Sequence, residues 1–162
     1  MNFIVRHGLK HDTPSILRLI KELAEFESSP KAVINNEQKM AEDGFGKDSF
    51  FKVIVAEELN NNDIIGMALY FTAYSTWKGR IFYLDDLVVT ETYRRYGVGK
   101  KLIEQFLKDA YEAGVEQVRW QVLDWNKTAI QFYAKIGVDF DPEWINCKMS
   151  REQIKTYLDH NM

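Results

Sequence analysis

Residues Arg94 to Gly99 read Arg-Arg-Tyr-Gly-Val-Gly, and Lys100 and Lys101 follow at once. Two glycines one residue apart, ringed by cations where a strand-like run gives way to a helical pattern, suit the binding of an anion. Bare glycines let a backbone approach its ligand closely. The first N–H groups of a helix have no partner within it, and the helix dipole favours negative charge there. Arg94, Arg95 and Lys100 can add charge-assisted hydrogen bonds. A pyrophosphate fits this arrangement; a tight turn with a solvated basic rim is the alternative. Two other phosphate loops do not fit. The P-loop needs a Ser or Thr after its lysine, and Lys100 is followed by Lys101. The Rossmann fingerprint needs a third glycine, and Leu102 stands there, in mid-chain.

The second chemical feature is Asp85-Asp86, just upstream in "GRIFYLDDLVV". Neighbours on a strand point to opposite faces, so one carboxylate can face a cleft while the other faces away. The three histidines, His7, His11 and His160, sit near the termini without ligand spacing. They read as surface residues, and no metal is expected. Cys147, the single cysteine, allows no internal disulfide and no Cys-rich zinc site. It reads as a small core residue.

The elements that must position these residues follow from patterning. The chain of 162 residues is 46% hydrophobic and 28% charged, which fits one domain, residues 1–162, with a sizeable core. A net charge of −3 argues against a nucleic-acid partner and suits a cationic substrate better. No apolar leader or span-length run is present, so a soluble protein in a reducing cytoplasm, without membrane partners, is expected. "FIVR" reads as a strand. "DTPSILRLIKELAEFE" reads as a helix with Pro14 near its start and Ile16, Leu17, Ile20, Leu23 and Ala24 on one face. A poorer helix covers Glu37–Asp43, ended by Gly44. "FFKVIVAEE" and "IIGMALYFTAY" predict an antiparallel hairpin, and "GRIFYLDDLVV" continues the sheet. Leu102, Ile103, Phe106, Leu107 and Ala110 form the stripe of a helix stopped by Gly114. "VEQVRWQVL" is a strand, Asn126 caps a further helix closed by Gly137, "WINCKM" is a late strand, and "SREQ" opens a terminal helix. The order β-α-α-β-β-β-α-β-α-β-α gives an α/β fold: a mixed, mostly antiparallel central sheet flanked by helices. A parallel β-α-β crossover spans Tyr83–Leu123.

With these elements in place the chain resembles the GCN5-related N-acetyltransferase (GNAT) family, in which R-x-x-G-x-G cradles the pyrophosphate of acetyl-coenzyme A. "ILRLIKELAEFE", "EDGFG", "YSTWKGRIFYLDDLVV", "YRRYGVGKKLI" and "VLDWNKTAIQFYAKIG" are similar, in that order, to segments of the diamine/polyamine and thialysine acetyltransferases. "YSTWKG" and "LDWN" look more like the thialysine branch, since the spermidine/spermine branch usually has an acidic residue at the Ser75 position.

The resemblance implies an acetyl-coenzyme A-dependent transfer to the primary amine of a small substrate, by direct attack in a ternary complex. A free alkyl amine has a pKa near 10, so only about one part in a thousand is neutral at pH 7. The resemblance places the amine-side carboxylate at Asp85, usually Glu in the family; the shorter Asp favours a water relay. For Asp86 a structural role is expected. Tyr133 becomes the general acid for the departing thiolate, although Ile130, Tyr133 and Ile136 also fit a plain core face. Leu87, Val88 and Val89 would pair through their backbone with the pantetheine arm. Arg94, Arg95, Tyr96, Gly97, Val98, Gly99, Lys100 and Asn126 would bind the rest of the coenzyme. Phe26, Glu27, Trp77 and Glu143 are matched to the amine site, with a solvated charge and a sheet-covering aromatic as the alternatives for Glu27 and Trp77. Around "VDFDPEW" the chain departs from the family, and Glu143 adjoins Trp144 directly. A homodimer using the late strand and C-terminal residues is implied. A protein or peptide N-acetyltransferase and a non-catalytic coenzyme A-binding module are the alternative functions.

Overall fold

The computed structural model describes Met1–Asn161. Its residues divide into two compact units, Met1–Gln121 and the remainder from Val122. The first unit holds strands β1 (Phe3–His7), β2 (Lys52–Glu58), β3 (Ile64–Ser75), β4 (Gly79–Val89) and β5 (Gln117–Arg119), with helices α1 (Thr13–Phe26), α2 (Glu37–Phe45) and α3 (Val98–Glu112). The strands form one sheet in chain order. The pairings β1–β2, β2–β3 and β3–β4 are antiparallel, and β4–β5, joined through α3, is parallel. The mixed α/β sheet with an antiparallel majority is therefore the one expected.

Alternation along the strands sorts two apolar faces. Val53, Val55, Met67, Leu69 and Val88 pack with Ile16, Leu17 and Leu19 of α1 and Met40 of α2. On the opposite face Tyr70 lies 5.1 Å, centroid to centroid, from both Phe82 and Phe106 of α3. Such aromatic pairs are worth about 0.5–1.5 kcal/mol beyond the area they bury. The Tyr70 hydroxyl donates to Asp109 Oδ2 (2.7 Å), whose other oxygen accepts from Gln105 Nε2 (2.8 Å). A buried phenol is thus satisfied by a helix residue, which locks α3 against β3.

Helix α2 runs past its expected stop. Asn36 caps it by accepting from Lys39 N, and it continues through Gly44 to Phe45, where Gly46 N bonds Glu42 O. Gly44 is a packing residue: a Cβ there would meet Phe51 Cζ at 2.3 Å. Strand β5 is shorter than "VEQVRWQVL" suggests and pairs only with Ile81, Phe82 and Tyr83.

The second unit holds α4 (Lys127–Lys135) and α5 (Arg151–Asn161). Asn126 Oδ1 accepts from Ala129 N, and Ser150 and Gln153 bond one another's backbone N–H groups reciprocally, both caps as expected. The late strand over "WINCKM" does not form: no strand lies between α4 and α5 among the described residues. A strand is stable only with a ladder partner. Here Trp144, Ile145 and Met149 are exposed instead. Cys147 is exposed with them and is not a core residue.

Candidate functional site

Strand β4 delivers the site in the first unit. Its register with β3 slips once: Tyr70 pairs Leu84 and Leu69 pairs Asp86, so Asp85 is an extra, unpaired residue. Such a bulge bends a strand and re-aims its side chains. Leu84 shares the face of Tyr70, whereas Asp86 shares the face of Leu69 and α1. The simple alternation expected at the Asp pair is therefore broken, and Asp86 is turned towards α1.

Asp86 is the carboxylate that the site perturbs most. Burial, then the charges of Asp85 and Glu27, push its pKa up to about 7. Among the described residues no hydrogen bond contributes to that shift. Asp85 is more exposed, and burial raises its pKa by a smaller step. Glu27 follows the last residue of α1. Sequence reading gave Asp86 a structural role because the bulge that re-aims it depends on how β4 pairs with β3.

The same strand has an open edge. Its β5 neighbour reaches only Ile81–Tyr83, so Leu84–Val89 have a strand partner on the β3 side alone. That edge runs past Leu87, Val88 and Val89, and the Val88 side chain is core. Three residues of strand, roughly 10 Å, separate Asp86 from the strand's end at Val89.

The glycine loop follows. Arg95 and Gly97 both take left-handed conformations, with φ of 68° and 84°. Gly97 is the N-cap of α3, where L side chains are strained. Gly99 has another basis: a Cβ there would meet nothing closer than Val89 Cγ2, at an ordinary 3.7 Å. Packing within the protein does not demand glycine at 99, so the bare backbone is left available to a ligand. Val98 is fully in the core and offers only its N–H. Tyr96 is exposed, as are Arg94 and Arg95. The Lys100 ammonium leans towards Glu104 (3.8 Å), and Lys101 pairs with the same carboxylate (3.0 Å).

The remaining expected residues lie on several elements of the two units. Phe26 lies under the Arg94 guanidinium, 5.4 Å from ring centroid to Cζ. Trp77 is 84% exposed in the β3–β4 turn and covers nothing. Roughly 23 Å of strand separates Gly79, beside that turn, from Asp86, so one chain does not bring Trp77 to Glu27 and Asp86. Ser75 is buried, and its Oγ accepts from the Trp77 and Lys78 N–H groups. A turn-capping Ser says little about charge in an amine pocket, because an Asp would cap the same turn. In the second unit, Asn126 caps α4 and Tyr133 is buried, which pushes its pKa up to about 12. Glu143 is exposed, its N–H donating to Asp141. No group of residues that could hold a metal ion is found among the described residues. No helix among them is long and apolar enough to cross a membrane.

A carboxylate with a pKa raised to about 7, an open strand edge and a glycine loop thus follow one another along β4 and into α3. The acetyltransferase (GNAT) family model matches residues 15–138, across the boundary of the two units. A thialysine N-epsilon-acetyltransferase of Bos taurus is 40% identical over 140 residues, 83% of this chain and 82% of that protein. A spermidine/spermine N(1)-acetyltransferase-like protein 1 of Homo sapiens is 31% identical over 160 residues, 94% of this chain but 23% of that longer one. Among solved structures, an integron cassette protein from the mobile metagenome of V. cholerae superposes with a TM-score of 0.78 at 23% identity, covering 98% of each chain.

Proposed function

The chain belongs to the acetyltransferase (GNAT) family and is an N-acetyltransferase, and from that premise we propose that it transfers acetyl from acetyl-coenzyme A to the primary amine of a small substrate. The whole chain acts as one catalytic domain in this reading. The thialysine or lysine type is favoured over the long polyamines, in keeping with 40% against 31% identity to the two relatives. The observation that carries the reading is Asp86, held near a pKa of about 7 beside an open strand edge and a glycine cradle. A base poised near the working pH best combines availability with driving force.

The donor supplies the activated acetyl group, and the residues present suit it. Gly97 and Gly99 leave the N–H groups at the start of α3 open to the pyrophosphate, and Arg94 and Arg95 add charge. Leu87–Val89 pair with the extended arm, and an N–H of that edge can polarise the thioester carbonyl. An arm laid back along β4 from the cradle leads towards Asp85 and Asp86. There Asp86 accepts the amine's proton, directly or through water, while Asp85 and Glu27 hold the ammonium form before reaction. An arriving cation offsets the repulsion among these carboxylates and draws Asp86 to its charged, basic form.

Tyr133 is protonated throughout the neutral range and donates to the departing thiolate. Burial widens the gap to a free thiol, whose pKa is near 8.5, beyond what an unperturbed phenol would give. A thiolate formed in equally dry surroundings is raised by the same cause. Asn126 adds a polar contact to the coenzyme. No covalent enzyme intermediate is required. A cytoplasmic homodimer, its exposed Trp144–Met149 segment covered by the second copy, completes the proposal.

The test is coenzyme A release with thialysine, lysine, spermidine, putrescine and a histone-tail peptide at equal concentration. Preference for thialysine or lysine supports the reading. Preference for the peptide overturns the small-amine assignment. Tight coenzyme A binding with no turnover on any acceptor, unchanged by Tyr133→Phe, overturns catalysis.

A further inference from the structure

Helix α1 presents Arg18, Glu22 and Phe26 at successive four-residue steps, which places them on one stripe. That stripe reads the chain leaving β4. Arg18 donates to the Ile64 carbonyl and pairs with Glu22. Glu22 Oε2 accepts from Thr90 Oγ1 at 2.7 Å. Phe26 lies 5.4 Å from the Arg94 Cζ, and Arg94 Nε donates to Val89 O at 3.0 Å. The guanidinium is thus held on one face and one edge, with its two terminal nitrogens directed to neither contact. Among the described residues no carboxylate pairs with it. Arg94 is exposed and opens the glycine loop.

Resting on the donor-binding reading above, we propose that Phe26 is a positioning residue for the coenzyme, holding Arg94 ready for the pyrophosphate, and not a contact for the amine. Arg94 is exposed and rich in rotamers, and ordering it only on binding would cost affinity. The ring meets part of that cost beforehand through cation–π attraction and packing. The stripe Arg18–Glu22–Phe26 keeps the ring in place by tying α1 to Ile64 and Thr90. Because Glu27 follows Phe26 directly, the end of α1 is shared between the donor loop and the carboxylates.

The experiment measures coenzyme A binding by calorimetry, and separately kcat and the KM of each substrate, for the full chain and its variants. Phe26 is 41% exposed, so Phe26→Leu is expected to fold, and Phe26→Tyr keeps the ring as a control. Phe26→Leu should weaken coenzyme A binding about two- to fivefold, the range for an exposed cation–π contact. The amine KM and kcat should stay put, and Phe26→Tyr should match the wild type. In an Arg94→Ala background, Phe26→Leu should have no further effect, since the interaction it removes is already gone. A raised amine KM with donor affinity intact, a loss that persists without Arg94, or tighter binding in Phe26→Leu would each overturn the proposal. A wild-type chain that does not bind coenzyme A would instead sink the donor-binding reading, and this inference with it.

Discussion

Gly99→Ala separates what the fold needs from what a ligand needs. In the protein the new methyl meets only Val89 Cγ2, at 3.7 Å, so no clash opposes it. Position 99 lies in the first turn of α3, and its φ is not left-handed. Replacing glycine at such a site stabilises by about 0.4–1 kcal/mol, mainly by restricting the unfolded chain. For a chain of this length that raises Tm by about 1–4 °C. Coenzyme A should respond in the opposite sense. A pyrophosphate packed against the bare Gly99 Cα would meet the new methyl and be lifted off the N–H groups at the start of α3. Losing one charge-assisted hydrogen bond costs about 1.5–3 kcal/mol, or about 10- to 150-fold in Kd. Thermal unfolding and calorimetric titration with coenzyme A give both numbers from one preparation. A Kd within about twofold of wild type would show that no ligand approaches here closely. A large fall in Tm would show that the glycine serves packing after all.

Asp86→Asn should remove a limb near pH 7 from the kcat/KM profile and lower kcat, leaving the amine's own ionisation as the remaining dependence. The same variant has a stability signature. The folded pKa of about 7 lies above that of an unfolded Asp, so the wild-type stability contribution is greatest at low pH and falls as pH rises to about 7. The Tm advantage of Asp86→Asn should therefore grow between about pH 4 and pH 7 and then level off. Gly97→Ala, in contrast to the change at 99, should destabilise by about 1–2 kcal/mol, read as a lower Tm, because φ is 84° there. Tyr70→Phe should cost about 1.5–3 kcal/mol in denaturant unfolding by removing the hydrogen bond to Asp109, with coenzyme A affinity unchanged.

Local rules settled much of this protein from the amino-acid sequence by itself. The β-rich runs of β2, β3 and β4, the helical stripes of α1 and α3, and the caps at Asn126 and Ser150 all rest on near neighbours, so sequence displays them. The glycine loop was legible for the same reason, because its conformation and the first turn of α3 are local. Where a residue's role depended on a distant partner, sequence was mute or misleading. Gly44 looks like a helix stop, and becomes a packing site only because Phe51 arrives from further along the chain. "WINCKM" has the composition of a strand but no ladder partner, and Cys147 is exposed with it. Phe26 gives no sign that Arg94 will lie over it. Asp85 and Asp86 are indistinguishable as letters. The slip in register against β3, the burial under α1 and the nearby Glu27 decide which one is carried to neutrality. Desolvation and long-range charge are properties of tertiary surroundings, and only the folded chain supplies them.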